Sequence, residues 1–300
     1  MIIQQTQSFK TKLGLTLCLF LSSFMSFGVA KGMEAKFSGN ELLTTKLAQG
    51  MQIKDKNHAR VKSMIADFES HNQSLFTHLD GEGLVVFNFV VQEVERRGMP
   101  LEIAFIPLVE SGYKPNARNG QHIGLWQLSP VAAKTFGIHV SPKSDGRLNL
   151  IKATNGALDY LEYLNRRFDG DWLLTIAAYN AGEGRVLRSM KKNREAGKPT
   201  DYWHLDLPAI TKAYIPKVLA LSALSLKEQR FDVAMANIPQ LIEVKASNKA
   251  KLLNTVKKHG IDDQTIKYFN PSDVYAKDGS SIVILMKELL DLDGLSSYAL

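Results

Sequence analysis

A single cysteine, Cys18, occurs in the 300 residues, and it lies inside an uncharged N-terminal run. One thiol cannot form an intrachain disulfide, and a chain processed after residue 30 would carry none. A disulfide framework, a cysteine nucleophile and thiolate metal sites are therefore excluded. The seven histidines are scattered and form no HExxH-like pair, so neither a metal nor another cofactor is expected. Strong charge of one sign is also missing: 37 basic residues face 30 acidic ones, a formal +7. A mild excess of this kind favours polyanionic surfaces in general. With no nucleic-acid motif and no dense Arg/Lys stripe, nucleic acid is not the expected partner.

The long uncharged hydrophobic run is N-terminal. Lys10 and Lys12 precede residues 13–30, which are rich in Leu and Phe and end Gly28-Val29-Ala30, the small-x-small pattern a signal peptidase accepts. Residues 1–30 thus read as an export signal. Its removal takes two positive charges with it and leaves a cysteine-free chain suited to a bacterial periplasm. An uncleaved membrane anchor is the alternative, because roughly 20 apolar residues can cross a bilayer. The serines and the small-residue end favour cleavage.

Residues 31–66 are polar and mixed, a short helical lead-in. From Asp67 the pattern is helical. Residues 84–97 place apolar side chains on a broad face, and Gly98 and Pro100 mark a stop and restart. A helix over 101–110 should be kinked or shortened by Pro107, which leaves Glu110 at a helix end. Residues 113–137 are turn-rich, with Pro115, Asn116, Asn119, Gly120 and Gly124. Helical pattern resumes at Pro130 and over 151–168, where Ala157, Leu158, Leu161 and Leu164 recur at helical spacing. Residues 172–179 are almost wholly apolar, as expected of a buried helix. A basic helix over 185–194 and one long amphipathic helix over 209–230 follow. No convincing strand lies between 67 and 230.

One stretch concentrates chemistry. The apolar run Ala104-Phe-Ile-Pro-Leu-Val109 ends in a lone carboxylate, Glu110, with Ser111 and Gly112 directly after it. Gly124-Leu125-Trp126-Gln127 and Ala178-Tyr179-Asn180-Ala181-Gly182 follow in order. Each residue has a bland reading on its own: Ser111 as a helix-terminal hydroxyl, Trp126 and Tyr179 as core aromatics, Asn180 as a cap. In this combination and order they resemble the catalytic pattern of soluble-lytic-transglycosylase (SLT) domains, which have a lysozyme-like fold. Trp126 before the Gln, together with Asp171-Trp172, is similar to the D-type subfamily of membrane-bound lytic murein transglycosylases. The resemblance runs from about residue 67 to about residue 230.

What the resemblance implies is specific. The substrate would be the peptidoglycan glycan strand, whose peptide carboxylates suit a basic chain, and the site would need no cofactor. Glu110 would protonate the bond between MurNAc and GlcNAc, then act as base on the MurNAc C6 hydroxyl to close a 1,6-anhydro ring. Ser111, Gln127, Tyr179, Asn180 and Trp126 would bind or position the glycan, and Tyr214, in Thr211-Lys-Ala-Tyr214, would lie near the acid. The family usually has Glu-Thr where this chain has Ile210-Thr211. Some D-type relatives are lipoproteins with a small residue before the modified Cys, whereas here Leu17 precedes Cys18; a peripheral membrane association stays open.

From the residues alone, an acid working near neutral pH needs a raised pKa, usually from apolar neighbours. Phe105, Ile106, Leu108 and Val109 could supply that wall. Most glycosidases pair two carboxylates, and no second acid accompanies Glu110 in the motif; Glu162 and Glu183 read as helix-surface charges. A hydrolytic muramidase and a glycan-binding scaffold that does not cut are the alternatives. In the last segment, 241–244 and 281–286 have strand composition with two helical stretches between, and Asn270-Pro271 follows the second. This order is similar to a LysM module, without its Gly-Asp-Thr-Leu signature, and a structural cap fits as well. The expected architecture is mainly α: a lysozyme-like helical domain at 67–232, then a small α+β LysM-like module at 238–290.

Overall fold

The computed structural model describes residues 41–71, 75–142, 144–245, 248–258, 260–271 and 281–285. The expected export signal at 1–30, with Lys10, Lys12 and Cys18, lies outside them, as do residues 31–40 of the lead-in and 286–290 of the last segment. The fold is mainly helical. Among the described residues, no helix is long and apolar enough to cross a membrane.

Helix α1 (Leu43–Gly50) buries Leu43 and Leu47, and after a short 3-10 turn α2 (Ala59–Ser70) buries Val61 and Phe68. These side chains join the same core as the segments that follow. Residue 67, where the helical pattern was expected to begin, falls inside α2. The connection between α1 and α2 is tied down by a buried acid. Glu102 accepts hydrogen bonds from the backbone N–H groups of Gln52 and Ile53 at 3.1 and 2.9 Å. Burial pushes its carboxyl above the ordinary range, against the pull of those donors. Glu102→Ala would orphan two backbone donors at once. We expect a cost of about 2 kcal/mol and a fall in melting temperature of roughly 6 °C by calorimetry.

Helix α3 (Glu82–Arg96) is the first long core helix, with Val86, Phe87, Val90, Val91 and Val94 enclosed. The expected single helix over 101–110 is two pieces: a 3-10 turn, Leu101–Phe105, and a short helix α4 (Ile106–Ser111). Pro107 explains the break. It lacks an N–H and is accepted only in a first turn, so the α-helix restarts around it. Two small hairpins, which composition did not reveal, follow. Strand β1 (Arg118–Asn119) pairs with β2 (His122–Ile123), and after α5 (Pro130–Thr135), β3 (Val140–Ser141) pairs with β4 (Ser144–Asp145). Two-residue strands are too short for an alternating pattern to show.

Helix α6 (Leu150–Arg167) starts where the Asn149 side chain accepts from Lys152 N, and α7 (Trp172–Ala181) where Asp171 accepts from Leu174 N. Leu173 to Ala178 of α7 are buried without interruption, and α7 packs between α6 and α8 (Glu183–Glu195). The expected long amphipathic helix ends early. Helix α9 covers Ala209–Ser225, and 3-10 turns at Gln229–Phe231 and Met235–Asn237 complete that stretch. Nor is α9 amphipathic: Tyr214, Ile215, Val218, Leu219, Ala220 and Leu221 cover most of its circumference, because α2, α4 and α7 all pack on it.

The last segment is strand, helix, helix, strand. Strand β5 (Leu241–Lys245) pairs antiparallel with β6 (Ser281–Leu285), and α10 (Lys249–Lys258) and α11 (Asp263–Phe269) lie between them in sequence. Alternation along β6 divides two cores. Ile282 and Ile284 meet Leu252, Val256, Ile261 and Ile266, whereas Val283 joins Leu241 and Phe269 in the main core. Asn270 fastens β6 to α11, donating to Val283 O at 2.7 Å and accepting from Val283 N at 2.6 Å. Tyr268 OH donates to Tyr113 O at 3.0 Å, which ties this segment to the chain just beyond Glu110.

Candidate active site

Helix α4 is six residues long and delivers Glu110 one residue before its end. Gly112 terminates it in the left-handed region, φ 62°, with its N–H on Leu108 O and the next N–H, from Tyr113, on Pro107 O. The Ser111 hydroxyl reaches both Pro107 O, at 3.0 Å, and Leu125 O, at 2.8 Å. It therefore joins the helix end to the second motif rather than lining the cleft.

Glu110 opens onto a cleft of about 560 Å³ whose walls include Asn119, His122, Gln127, Tyr160, Tyr179 and Asn180. Its Oε1 accepts a 2.5 Å hydrogen bond from Tyr214 OH, contributed by α9. Burial pushes the Glu110 carboxyl above its usual range, while the Tyr214 hydroxyl and the charge of Lys217 pull the other way. Tyr214 and Tyr179 are held well above the usual phenol range by burial first and the Glu110 charge second. Both remain neutral donors. The polar groups that act on the buried acid are thus Tyr214 and Lys217, while Phe105, of the expected apolar wall, packs on Phe87 at 5.4 Å.

Gln127 and Asn180 present opposite ends of their amides. Gln127 has φ 46°, a conformation uncommon outside glycine. Its Nε2 is committed to Gly124 O at 2.7 Å and Ala117 O at 3.2 Å, which leaves Oε1 as an acceptor. Asn180 Oδ1 accepts from Thr211 Oγ1 at 2.9 Å, which leaves its Nδ2 as a donor. Tyr179 OH donates to Trp126 O at 2.7 Å.

Trp126, expected to bind sugar, does not reach the cleft. It is 0% exposed, and its indole N–H donates to Thr154 Oγ1 at 3.0 Å. A ring enclosed in the core cannot stack on a ligand, so it supports the site through its backbone carbonyl. Glu162 and Glu183 are engaged elsewhere, Glu162 with Arg97 and Glu183 with Arg167 and Tyr163. Among the described residues, no His/Cys/Asp/Glu group is arranged to hold a metal ion.

Residues that line the cleft without a motif include Asn119, His122, Tyr160 and Ile210. Tyr160 sits 5.5 Å from Tyr179 and 5.0 Å from Phe136, extending an aromatic row along the wall. Nothing in the sequence separates it from a surface tyrosine of α6. Ile210, 76% exposed at the rim, was visible only as a departure from the family pattern.

With this geometry in place, the comparison with known proteins is direct. The family model of the transglycosylase SLT domain matches residues 88–201, which hold Glu110 and all three motifs. Residues 88–201 are a transglycosylase SLT domain. Over 186 residues the chain is 38% identical to the membrane-bound lytic murein transglycosylase D of Escherichia coli K12, covering 61% of this chain and 41% of that protein. It is 35% identical over 100 residues to the peptidoglycan transglycosylase gp16 of Escherichia phage T7, covering 33% of this chain and 7% of that one. The chain therefore spans less than half the length of these relatives. Around the matched SLT domain, α9 lies beyond residue 201 and still supplies Tyr214 to the acid.

Tyr214→Phe tests the bond to Glu110. The hydroxyl favours the charged carboxylate, so its loss raises the Glu110 pKa further. If Glu110 must be protonated to start the reaction, the alkaline limb of the pH–rate profile moves to higher pH. An unmoved limb would disconnect Tyr214 from the acid.

Proposed function

We propose that the chain is a lytic transglycosylase that cleaves the β-1,4 bond between MurNAc and GlcNAc in peptidoglycan and leaves 1,6-anhydro-MurNAc ends. One observation carries this reading: among the described residues lining the cleft Glu110 is the lone carboxylate, half-buried, with its pKa raised. A two-carboxylate glycosidase needs a partner acid within about 10 Å to act as nucleophile or to activate water. A single acid suffices where the nucleophile comes from the substrate itself.

The steps balance around Glu110. Its proton passes to the glycosidic oxygen as the C1–O bond breaks and positive charge develops at C1. The resulting carboxylate, now facing that charge, takes the proton of the MurNAc C6 hydroxyl as that oxygen bonds C1. Glu110 ends protonated and no water is consumed. Tyr214 stabilises the carboxylate stage. The free Oε1 of Gln127 and Nδ2 of Asn180 form an acceptor and donor pair matched to an acetamido N–H and C=O. Tyr179 braces the 124–127 turn, and Ser111 joins that turn to α4.

The same reading extends to the rest of the chain. Residues 1–30 would act as an export signal to the periplasm, and 67–232 would form the lysozyme-like catalytic domain. The segment at 238–290 would be a degenerate LysM-like module, supported by its strand–helix–helix–strand order. The names of the relatives, murein and peptidoglycan transglycosylases, support the substrate class.

Mass spectrometry of purified sacculi treated with the chain decides the chemistry. Anhydro-ended muropeptides are expected. Reducing ends would mean a muramidase, and binding without release would mean a glycan-binding protein.

A further inference from the structure

A charged residue outside all three motifs is hydrogen-bonded to the loop that carries Gln127. Arg147, in the 3-10 turn Gly146–Leu148, is 4% exposed. Its Nη1 donates to Gln121 O at 2.7 Å and to Leu128 O at 2.9 Å. These two carbonyls bracket the 121–128 loop. The other edge of the guanidinium is held by Asp145, Nε on Oδ1 at 2.9 Å and Nη2 on Oδ2 at 2.7 Å. Asp145 Oδ1 also accepts from Arg147 N. The backbone of Gly124, at the loop's tip, lies against the Arg147 carbonyl.

This arrangement needs an arginine. A planar fork can satisfy a carboxylate on one edge and two carbonyls on the other, whereas an ammonium is a single point. The loop also needs holding. Gly124 and Gln127 both have positive φ, 83° and 46°, conformations that persist only where the surroundings impose them. Gln127 Nε2 bonds inside the loop, to Ala117 O and Gly124 O, so its side chain moves with the loop.

We propose that Arg147, oriented by Asp145, is a positioning residue that sets the register of the 121–128 loop and so places Gln127 against the glycan beside Glu110. The inference rests on the reading of the cleft as a glycan-cleaving site.

A double-mutant cycle separates positioning from general structural support. R147K is measured alone and on a Gln127→Ala background, with kcat and KM on purified soluble glycan strands and melting temperature for each. If Arg147 acts through Gln127, R147K lowers kcat/KM about thirtyfold in the wild type and less than about threefold once Gln127 is gone. The melting temperature should fall by the same amount in both backgrounds. Equal fold-losses of kcat/KM in the two backgrounds would overturn the proposal. If R147K does not fold, Asp145→Asn, which loosens one edge of the fork, enters the same cycle under the same criterion. If the wild type binds strands without cutting them, the catalytic reading fails separately. The cycle is then read on strand Kd, where equal losses again overturn the proposal.

Discussion

Glu110→Gln is expected to lower the rate of muropeptide release by about a thousandfold or more, since in the proposed mechanism one side chain would serve as acid and then base. The amide keeps the volume of the acid and can still accept from Tyr214, so strand binding should survive. Stability should move the other way. Burial raises the Glu110 pKa in the folded state, so between the unfolded and folded pKa values the native chain holds more protons than the unfolded one. The stability of the wild type therefore falls as pH rises from about 4.3, the unfolded value, through the folded pKa. Gln does not titrate and escapes that loss. The variant should melt at or above the wild-type temperature at pH 7, with the gain shrinking below the unfolded pKa. A variant that is inactive and clearly less stable at pH 7 would show that the acid is a structural group.

Gly124→Ala is the second large effect. A Cβ there would sit 2.1 Å from Arg147 O and 3.0 Å from its carbonyl carbon, both backbone atoms that cannot rotate away. Its φ of 83° adds the penalty of the left-handed region. Overpacking and strain together should cost about 3–4 kcal/mol, a fall of roughly 10 °C in melting temperature. Because Gly124 O holds the Gln127 amide at 2.7 Å, whatever fraction stays folded should cleave poorly. Gly137→Ala is the control. Its φ is similar at 76°, but nothing lies within 4 Å of the added carbon. It should cost only about 1 kcal/mol and leave cleavage unchanged. Equal losses for the two variants would locate the effect in φ alone and remove the role assigned to the Arg147 contact.

Much of the helical architecture was legible in advance because burial leaves a periodic trace. The apolar face of α6 and the wholly apolar α7 mark themselves by spacing and composition. The misread elements were those governed by something else. Pro107 divides a stretch that otherwise reads as one helix, the two-residue hairpins are too short to alternate, and α9 is buried nearly all round, so its end leaves no edge in the pattern.

The site divides in the same way. The sequence by itself determined which residues could do chemistry: a lone Glu110 after an apolar run, and the order of the Gln127 and Tyr179–Asn180 segments that mark an SLT domain. Only the tertiary structure decided what those residues do to one another. Tyr214, expected near the acid, donates its hydroxyl to Glu110 across 104 positions of chain, Trp126 turns inward to Thr154, and Arg147 closes the loop from the foot of α6. Periodicity records which side of an element avoids water. It carries no record of which hydroxyl, carbonyl or guanidinium will stand opposite, because that depends on the packing of whole helices.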